Sequence, residues 1–322
     1  MLNTLSSSGS LQKILSQFKA PVDYCFGYGS GVFSQGLKSE TRKRQIDIVF
    51  GVKNAKAWHS INVEQYPEHY SFLKYFGPSA IANVQNRFGA GVYYNPFTEI
   101  NGHTVKYGVV ETNVLKQDLE EWKTLYLAGR MHKPVVVVKN NSEIAEAQKR
   151  NLMSALSCAL LLLPSADALS LDNGVTSSIT SFTELDLYMK VASVSYLGDV
   201  RMAFAEHPKK VFNIVDNQFA LFRELYTPFY EKAGIVTIKE DGIRNLQKTK
   251  TNEQLVKELP LKFRSMILSV NSTRILPLQV SKAVAEVVRR SSFSQSLKGI
   301  LTAGPQRSIE YAIHKLKKRY IH

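Results

Sequence analysis

Cysteine is nearly missing from this 322-residue chain: Cys25 and Cys158 are the only two, one in a strand-like and one in a helix-like apolar run. That scarcity excludes a disulfide framework and a cysteine-held zinc site, and it fits a reducing compartment. Long apolar runs are missing too. The longest unbroken stretch, around Ala159 to Leu163, is far too short to span a bilayer and reads as buried helix, so any membrane contact is expected to be peripheral. Acidic residues are outnumbered, 27 Asp and Glu against 41 Lys and Arg, for a formal charge of +14. A surface that basic attracts polyanions, whether nucleic acid, nucleotides or an anionic membrane face, and names the partner's sign rather than its identity. From Met1 to Val22 there is no Asp, Glu or Arg. The serine content there and the helical face of Leu11, Ile14, Leu15 and Phe18 leave two readings open, a mitochondrial presequence or the first helix of the fold, the second being preferred.

What is present is an ordinary globular composition, 44% apolar and 21% charged, long enough for a substantial core and two domains. Residues 1–140 read as an α/β sheet domain. Val22 to Tyr28 is strand-like, Gln45 to Val52 alternates, and Val105 to Leu115 and Val135 to Lys139 are β-branched runs. Ser60 to Arg87 has helical spacing broken at Gly77-Pro78. Residues 141–272 read as mainly helical: Asn141 or Ser142 caps a helix that ends at Pro164, and helical patterns return at Met189 to Val194, Phe212 to Tyr226 and Glu253 to Val270. Ser165 to Ser181 reads as a surface loop. Residues 273–322 form the most basic part, with Glu286 and Glu310 as the acids against many Lys and Arg. Its last stretch, after Gly304-Pro305, sets Ile309, Ile313, Leu316 and Tyr320 on one helical side with lysines flanking them. Such a helix either lies on an anionic membrane or packs on the domain.

The sharpest local feature is Gly27-Tyr28-Gly29-Ser30-Gly31-Val32 at the end of an apolar strand, followed after a basic connection by Gln45-Ile46-Asp47-Ile48-Val49-Phe50. Glycines here let backbone amides approach a triphosphate, and Ser30 adds a hydroxyl donor. Alternation puts Ile46, Ile48 and Phe50 on one face and leaves Asp47 on the other, able to turn toward the glycines. A Gly-Ser-Gly turn also occurs for purely steric reasons. His59 and His69 have no partner at ligand spacing and are expected to be packed and hydrogen-bonded.

The turn and its acid-bearing strand resemble the polymerase-β type of nucleotidyltransferase, whose signature strand carries two alternating carboxylates. Here Gln45 and Val49 flank Asp47, so a second metal ligand comes from elsewhere, with Glu99 and Glu111 as candidates, or the nucleotide phosphates hold the metal. Further segments follow in order: Trp58-His59-Ser60, His69-Tyr70-Ser71-Phe72-Leu73, Gly89-Ala90-Gly91-Val92-Tyr93-Tyr94-Asn95, Lys106-Tyr107-Gly108, Gly129-Arg130-Met131-His132-Lys133-Pro134, Tyr196-Leu197-Gly198-Asp199-Val200-Arg201-Met202 and Lys298 to Gly304. Together they closely resemble the mitochondrial phosphatidate cytidylyltransferase family over nearly the whole chain.

The resemblance implies transfer of the cytidylyl group of CTP to phosphatidic acid, giving CDP-diacylglycerol and pyrophosphate on the route to cardiolipin and phosphatidylglycerol. It implies a Mg²⁺-dependent enzyme peripheral to the matrix side of the inner mitochondrial membrane, with a nucleotidyltransferase sheet domain, a winged-helix-like domain and a membrane-associating C-terminal helix. On this reading Asp47 holds the metal, Tyr28, Gly29, Ser30 and Gly31 cradle the triphosphate, and Lys106 neutralises its charge. Lys106 also suits a solvated edge position. Lys139 is a further nucleotide-binding candidate, and Arg130, Lys133 and Arg201 are candidates for the substrate phosphate. Each has a plainer alternative: a charged loop end for Arg130, Lys133 and Lys139, an ion pair with Asp199 for Arg201. Two rival functions remain, a nucleotidyltransferase acting on RNA and a non-catalytic assembly protein of the inner membrane. No RNA-recognition pattern is present among the aromatics, so no nucleic-acid partner is expected.

Overall fold

Alternation in the first half of the chain becomes a five-stranded mixed sheet in the order β3-β4-β2-β1-β5. The structure, a computed structural model, describes residues 2–33, 45–163, 181–204, 208–240, 243–268 and 277–303. The loop expected from Ser165 and the terminal helix from Ile309 to Tyr320 lie outside the described residues. Strand β1 (Tyr24–Tyr28) sits between β2 (Ile46–Val52) and β5 (Val136–Lys139), antiparallel to both. Strand β2 runs parallel to β4 (His103–Glu111), which pairs antiparallel with the edge strand β3 (Val92–Ile100). A parallel pair needs a long crossover, and α2 (Ala55–Gln65), the 3₁₀ turns Pro67–His69 and Phe72–Phe76, α3 (Gly77–Arg87) and β3 supply it. Gly77 does not merely interrupt a helix: with φ +79 it turns the chain, and Pro78 then starts α3.

Period-two alternation buries both faces of the sheet. Cys25, Ile46, Ile48, Phe50, Val105, Tyr107 and Val109 pack on Trp58 and on Leu11 and Ile14 of α1 (Leu2–Leu15), with Phe18 beside them. The amino-terminal helix is thus part of the core. Tyr24, Phe26, Val49 and Val110 face the other way, toward α4 (Thr112–Glu121), α5 (Ala128–Met131) and α6 (Ser142–Leu162). The β-branched run thought to extend to Leu115 ends at Glu111, because Thr112 opens α4, whose Leu115 and Leu119 face the core at helical spacing. Asn141 caps α6 by accepting from Glu143 N and Ile144 N.

The second half is more mixed than its sequence pattern indicated. After β6 (Ser181–Phe182) come α7 (Glu184–Val194), α8 (Val200–Phe204), α9 (Lys210–Asn217), α10 (Phe219–Tyr226) and α11 (Tyr230–Ala233). A hairpin of β7 (Ile235–Glu240) and β8 (Ile243–Lys248) joins β6 in a three-stranded antiparallel sheet. Then α12 (Asn252–Lys257), α13 (Leu261–Leu268) and α14 (Pro277–Ala303) close the described chain. The expected helices over Phe212 to Tyr226 and Glu253 to Val270 are each broken, at Gln218 and around Pro260. Pro260 has no N–H to continue a helix. The largest apolar cluster extends without interruption from Tyr24 to Val288, so the sheet and the helices beyond residue 140 share one core.

Candidate active site

Register alone assembles the centre of the site. Asp47 stands opposite Tyr28 across the antiparallel β1–β2 pair and level with Lys106 across the parallel β2–β4 pair. The three side chains therefore project from one face at the end of β1. Asp47 and Lys106 form an ion pair at 3.7 Å, both largely but not fully sheltered. The alternative of an edge position for Lys106 falls away, since β4 is an interior strand. Its ammonium also lies 4.7 Å from the centre of the Tyr94 ring, which covers Gly108. Tyr94 OH and Tyr28 OH are 3.4 Å apart.

The glycine turn faces this group. Gly29 has φ +78, and a Cβ there would stand 3.6 Å from an Asp47 carboxylate oxygen. A side chain at this position would be strained and would fill the space between turn and carboxylate. Gly31 is required for a different reason: its Cβ would meet the carbonyl oxygen of Gln45 at 2.0 Å, so the turn lies directly on the start of β2. Val32 N and Phe33 N both donate to Gly29 O at 3.1 Å, closing the turn.

A second set of cations arrives from other elements. The Asp118 carboxylate accepts from Thr124 N and Oγ1, Leu125 N, Leu127 N and Ala128 N at 2.7–3.0 Å, winding this loop into α5. That buried acid is structural, and it aims Arg130. The Arg130 guanidinium lies 3.9 Å from the centre of the Tyr126 ring and 5.6 Å from that of Tyr28, and it donates to Tyr126 O. His132 Nε2 and Trp122 Nε1 both meet Asn151 Oδ1, at 3.0 and 2.8 Å, and Tyr226 OH donates to His132 O at 2.6 Å, fixing the turn that follows. Burial pushes the His132 imidazole down to about 3, with Lys133 adding to the effect.

Lys133 and Arg201 come from opposite sides of the same region. Lys133 Nζ donates to Gly129 O and to Ser195 Oγ at 2.7 Å, and lies 5.0 Å from the Tyr196 ring centre, with Lys210 5.3 Å from that ring. Burial, then Arg130 and Lys210, hold the Lys133 amine well below its ordinary value, while Asp199 pulls the other way. Arg201 forks onto Asp199, Nε to Oδ1 at 2.9 Å and Nη2 to Oδ2 at 2.6 Å, as the ion-pair reading required. It is also 5.7 Å from the Tyr126 ring centre. Burial would raise the Tyr126 phenol, but Arg130, Arg201 and Lys106 together bring it below its ordinary value. Cations from β4, α5 and α8 thus converge around Tyr126, an arrangement suited to a bound polyanion.

Not every candidate joins this group. Lys139 is exposed at the far end of β5, opposite Cys25 and beside Lys19 to Val22, away from Asp47. Glu111 is at the other end of β4, five residues and about 17 Å of strand from Lys106, where it accepts from Ala55 N at 2.9 Å. It is no second ligand for an ion at Asp47. Glu99 shares the face of Lys106 but two strands from Asp47, and accepts from Thr104 Oγ1 at 2.6 Å. Among the described residues no cluster of three or more His, Cys, Asp or Glu could hold a metal ion. His59 and His69 lie on the opposite face of the sheet in a buried network: His59 meets Tyr70 OH and Gln85 Oε1, both at 2.8 Å, and His69 meets Tyr107 OH at 2.9 Å. Sequence reasoning missed Asp118, Tyr126 and Lys210, none of which sits in a recognisable spacing. Tyr196 opens the Tyr196–Met202 segment, where nothing in the sequence marks it as a partner of Lys133 and Lys210.

Comparison with known proteins adds the family. The sequence model described as "Phosphatidate cytidylyltransferase, mitochondrial" matches residues 11–318. Proteins of that name are similar over nearly the full chain: 40% identity with that of Schizosaccharomyces pombe, covering 96% of this chain and 83% of the relative. The protein of Xenopus laevis is 37% identical, with 98% and 96% covered, and that of Saccharomyces cerevisiae 39% identical, with 96% and 70% covered.

Proposed function

This chain belongs to the mitochondrial phosphatidate cytidylyltransferase family, and on that premise we propose that its glycine-turn site transfers the cytidylyl group of CTP to phosphatidic acid, releasing pyrophosphate and CDP-diacylglycerol. The observation that carries the reading is the Asp47 carboxylate turned toward Gly29 with Lys106 in register beside it. The first 140 residues are read as the nucleotidyltransferase domain, residues 141–272 as a winged-helix-like domain around the β6-β8-β7 sheet, and the remainder as a basic segment that meets the membrane.

In the reaction a phosphate oxygen of phosphatidic acid attacks the α-phosphorus of CTP; that P–O bond forms as the bond to the β-phosphate oxygen breaks. The attacking monoester, with a second pKa near about 6, is already largely ionised at neutral pH, so no strong general base is needed. Bringing two polyanions together is the harder task. Amides of the Gly29–Gly31 turn and Lys106 would hold the triphosphate, and Arg130 and Arg201, clamped by Tyr126 and Asp199, would face the lipid phosphate. Lys133, tied to Gly129 and Ser195, joins α5 to the end of α7 beside these cations. A single carboxylate with phosphate oxygens and water is a donor set suited to Mg²⁺, so Asp47 would hold it. When bound, the ion neutralises charge on the triphosphate. Relatives named as mitochondrial support a mitochondrial setting; the reading extends this to the matrix face of the inner membrane, with cardiolipin and phosphatidylglycerol synthesis downstream.

The test is purified protein with CTP, Mg²⁺ and phosphatidic acid vesicles, with labelled CTP traced into lipid and, in parallel, into RNA. Label in the lipid fraction and release of pyrophosphate are expected. Asp47→Asn should keep the far-ultraviolet spectrum and melting temperature of the parent while losing at least about a hundredfold in turnover, on the scale of a lost charge-stabilising group. Parental turnover by that variant would remove the metal role of Asp47.

A further inference from the structure

Asp47 faces the glycine turn with no second carboxylate at any position next to it in the sheet. On its own strand the residues of the same face are Gln45 and Val49. Across β1 its partner is Tyr28, and across β4 its partner is Lys106. Other acids of this part of the fold are committed elsewhere: Glu99 to Thr104 Oγ1, Glu111 to Ala55 N and Asp199 to Arg201. What stands beside the Asp47 carboxylate is an ammonium, with Lys106 Nζ 3.7 Å from Oδ1. That distance offsets charge, yet it exceeds the roughly 2.7–2.9 Å of a charge-assisted hydrogen bond. The two groups are paired without being locked together.

We propose that this site takes a single divalent cation, that the cation enters only together with a nucleoside triphosphate, and that Lys106 supplies the positive charge a second ion would bring. The inference deepens the nucleotidyltransferase reading above and rests on it. A divalent ion arriving alone meets one carboxylate whose charge Lys106 already offsets, with Arg130 5.6 Å from the neighbouring Tyr28 ring. Like charges repel, and one carboxylate is a thin ligand set for an ion that gives up its water reluctantly. A triphosphate reverses both effects. Its oxygens complete the ligand set, and its negative charge draws the Lys106 ammonium, which no close hydrogen bond to Asp47 holds back. A second ion is excluded by the same side chain. Two-metal sites hold their ions about 3.5–4 Å apart, which takes carboxylates able to serve both. Here the side chain level with Asp47 on the adjoining strand is itself a cation, inside the sheet rather than at its edge, and it lies 4.7 Å from the centre of the Tyr94 ring.

Manganese is the probe, since it takes the same oxygen ligands as magnesium and is readily counted. Equilibrium dialysis of the full chain against Mn²⁺, with and without the non-hydrolysable analogue α,β-methylene-CTP, measures metal and cytidine bound per chain. Without the analogue the parent is expected to bind no more Mn²⁺ than Asp47→Asn does; with it, one further Mn²⁺ for each cytidine. Lys106→Glu, which sets a second carboxylate beside Asp47, is expected to bind Mn²⁺ without nucleotide at least about tenfold more tightly than the parent. Adding Asp47→Asn should abolish that gain, and circular dichroism with melting temperature establishes that the variants fold. Should Lys106→Glu fail to fold, Lys106→Gln, which only removes the cation, is expected to show a smaller gain in the same direction. Two Mn²⁺ per cytidine in the parent would overturn the proposal, as would tight Mn²⁺ binding by the parent without nucleotide that Asp47→Asn removes. A folded Lys106→Glu with no gain would overturn the role of Lys106. Absence of cytidine uptake with Mn²⁺ present would count against the nucleotidyltransferase reading instead, and the metal-only comparison of Lys106→Glu with the parent still decides what Lys106 does at Asp47.

Discussion

Asp47 shows how little sequence is needed to place one candidate side chain. In an alternating strand the residue between Ile46 and Ile48 must point away from their core, and the glycine turn lies on that side. Lys106 is different. Nothing within its own strand says that it will lie level with Asp47, because that depends on parallel pairing across more than fifty intervening residues. Tyr126 and Asp118 are less legible still: one owes its role to cations from three elements, the other to a loop whose amides converge on it. The buried histidines permit a test at the same scale. Burial lowers His59 from 6.5 to about 4 and, with Lys133, lowers His132 to about 3. As pH falls below 6.5 the unfolded chain takes up protons that the native state refuses, so stability drops progressively until those lower values are reached. Each histidine contributes about 1.4 kcal/mol per pH unit in that window. Urea midpoints measured from pH 7 downward should therefore fall, and His59→Asn should reduce the slope; an identical slope in the variant would mean that His59 is protonated in the native state.

Elements were readable where one signal dominated and ambiguous where two competed. Helix α6 combined an asparagine cap, helical periodicity and a stop before Pro164, and it formed as expected. The run from Val105 carried β-branched residues into Val114, yet α4 begins at Thr112, because burial of Leu115 and Leu119 outweighed local propensity. The β7–β8 hairpin is signalled by Ile235, Thr237 and the Asp241-Gly242 dipeptide, between the helical patterns of a domain that reads as mainly helical. Contacts of α14 could not be read at all. Gln295 Oε1 accepts from Ala90 N at 2.9 Å and its Nε2 donates to Val92 O at 3.2 Å, in a space kept open by Gly89 at φ +63. Replacing Gln295 by Ala strands a buried donor and acceptor at the start of β3, and chemical denaturation should show a loss of about 1–3 kcal/mol. An unchanged midpoint would mean that this clamp contributes nothing to holding α14 on the sheet.

For the whole molecule, the cluster running from Tyr24 to Val288 ties the sheet to the helices that follow it. Scanning calorimetry is expected to give one cooperative transition, since neither part can open without exposing the core of the other. Two resolved transitions would show that the parts on either side of residue 140 fold independently. The site has the same dependence, with Asp47 and Lys106 from the sheet, and Arg130, Lys133 and Arg201 from segments that reach it only when that core is assembled. Composition, alternation and the ordered motifs by themselves determined the α/β class, the basic character, the family and the direction of Asp47, because each is a property of local order along the chain. Only the tertiary structure decided that Lys106 is interior, that Lys139 and Glu111 stand apart, and that Tyr126 gathers the cations. Those depend on which distant strands pair and which helix ends meet, and pairing is selected by burial of the assembled faces rather than by any single segment.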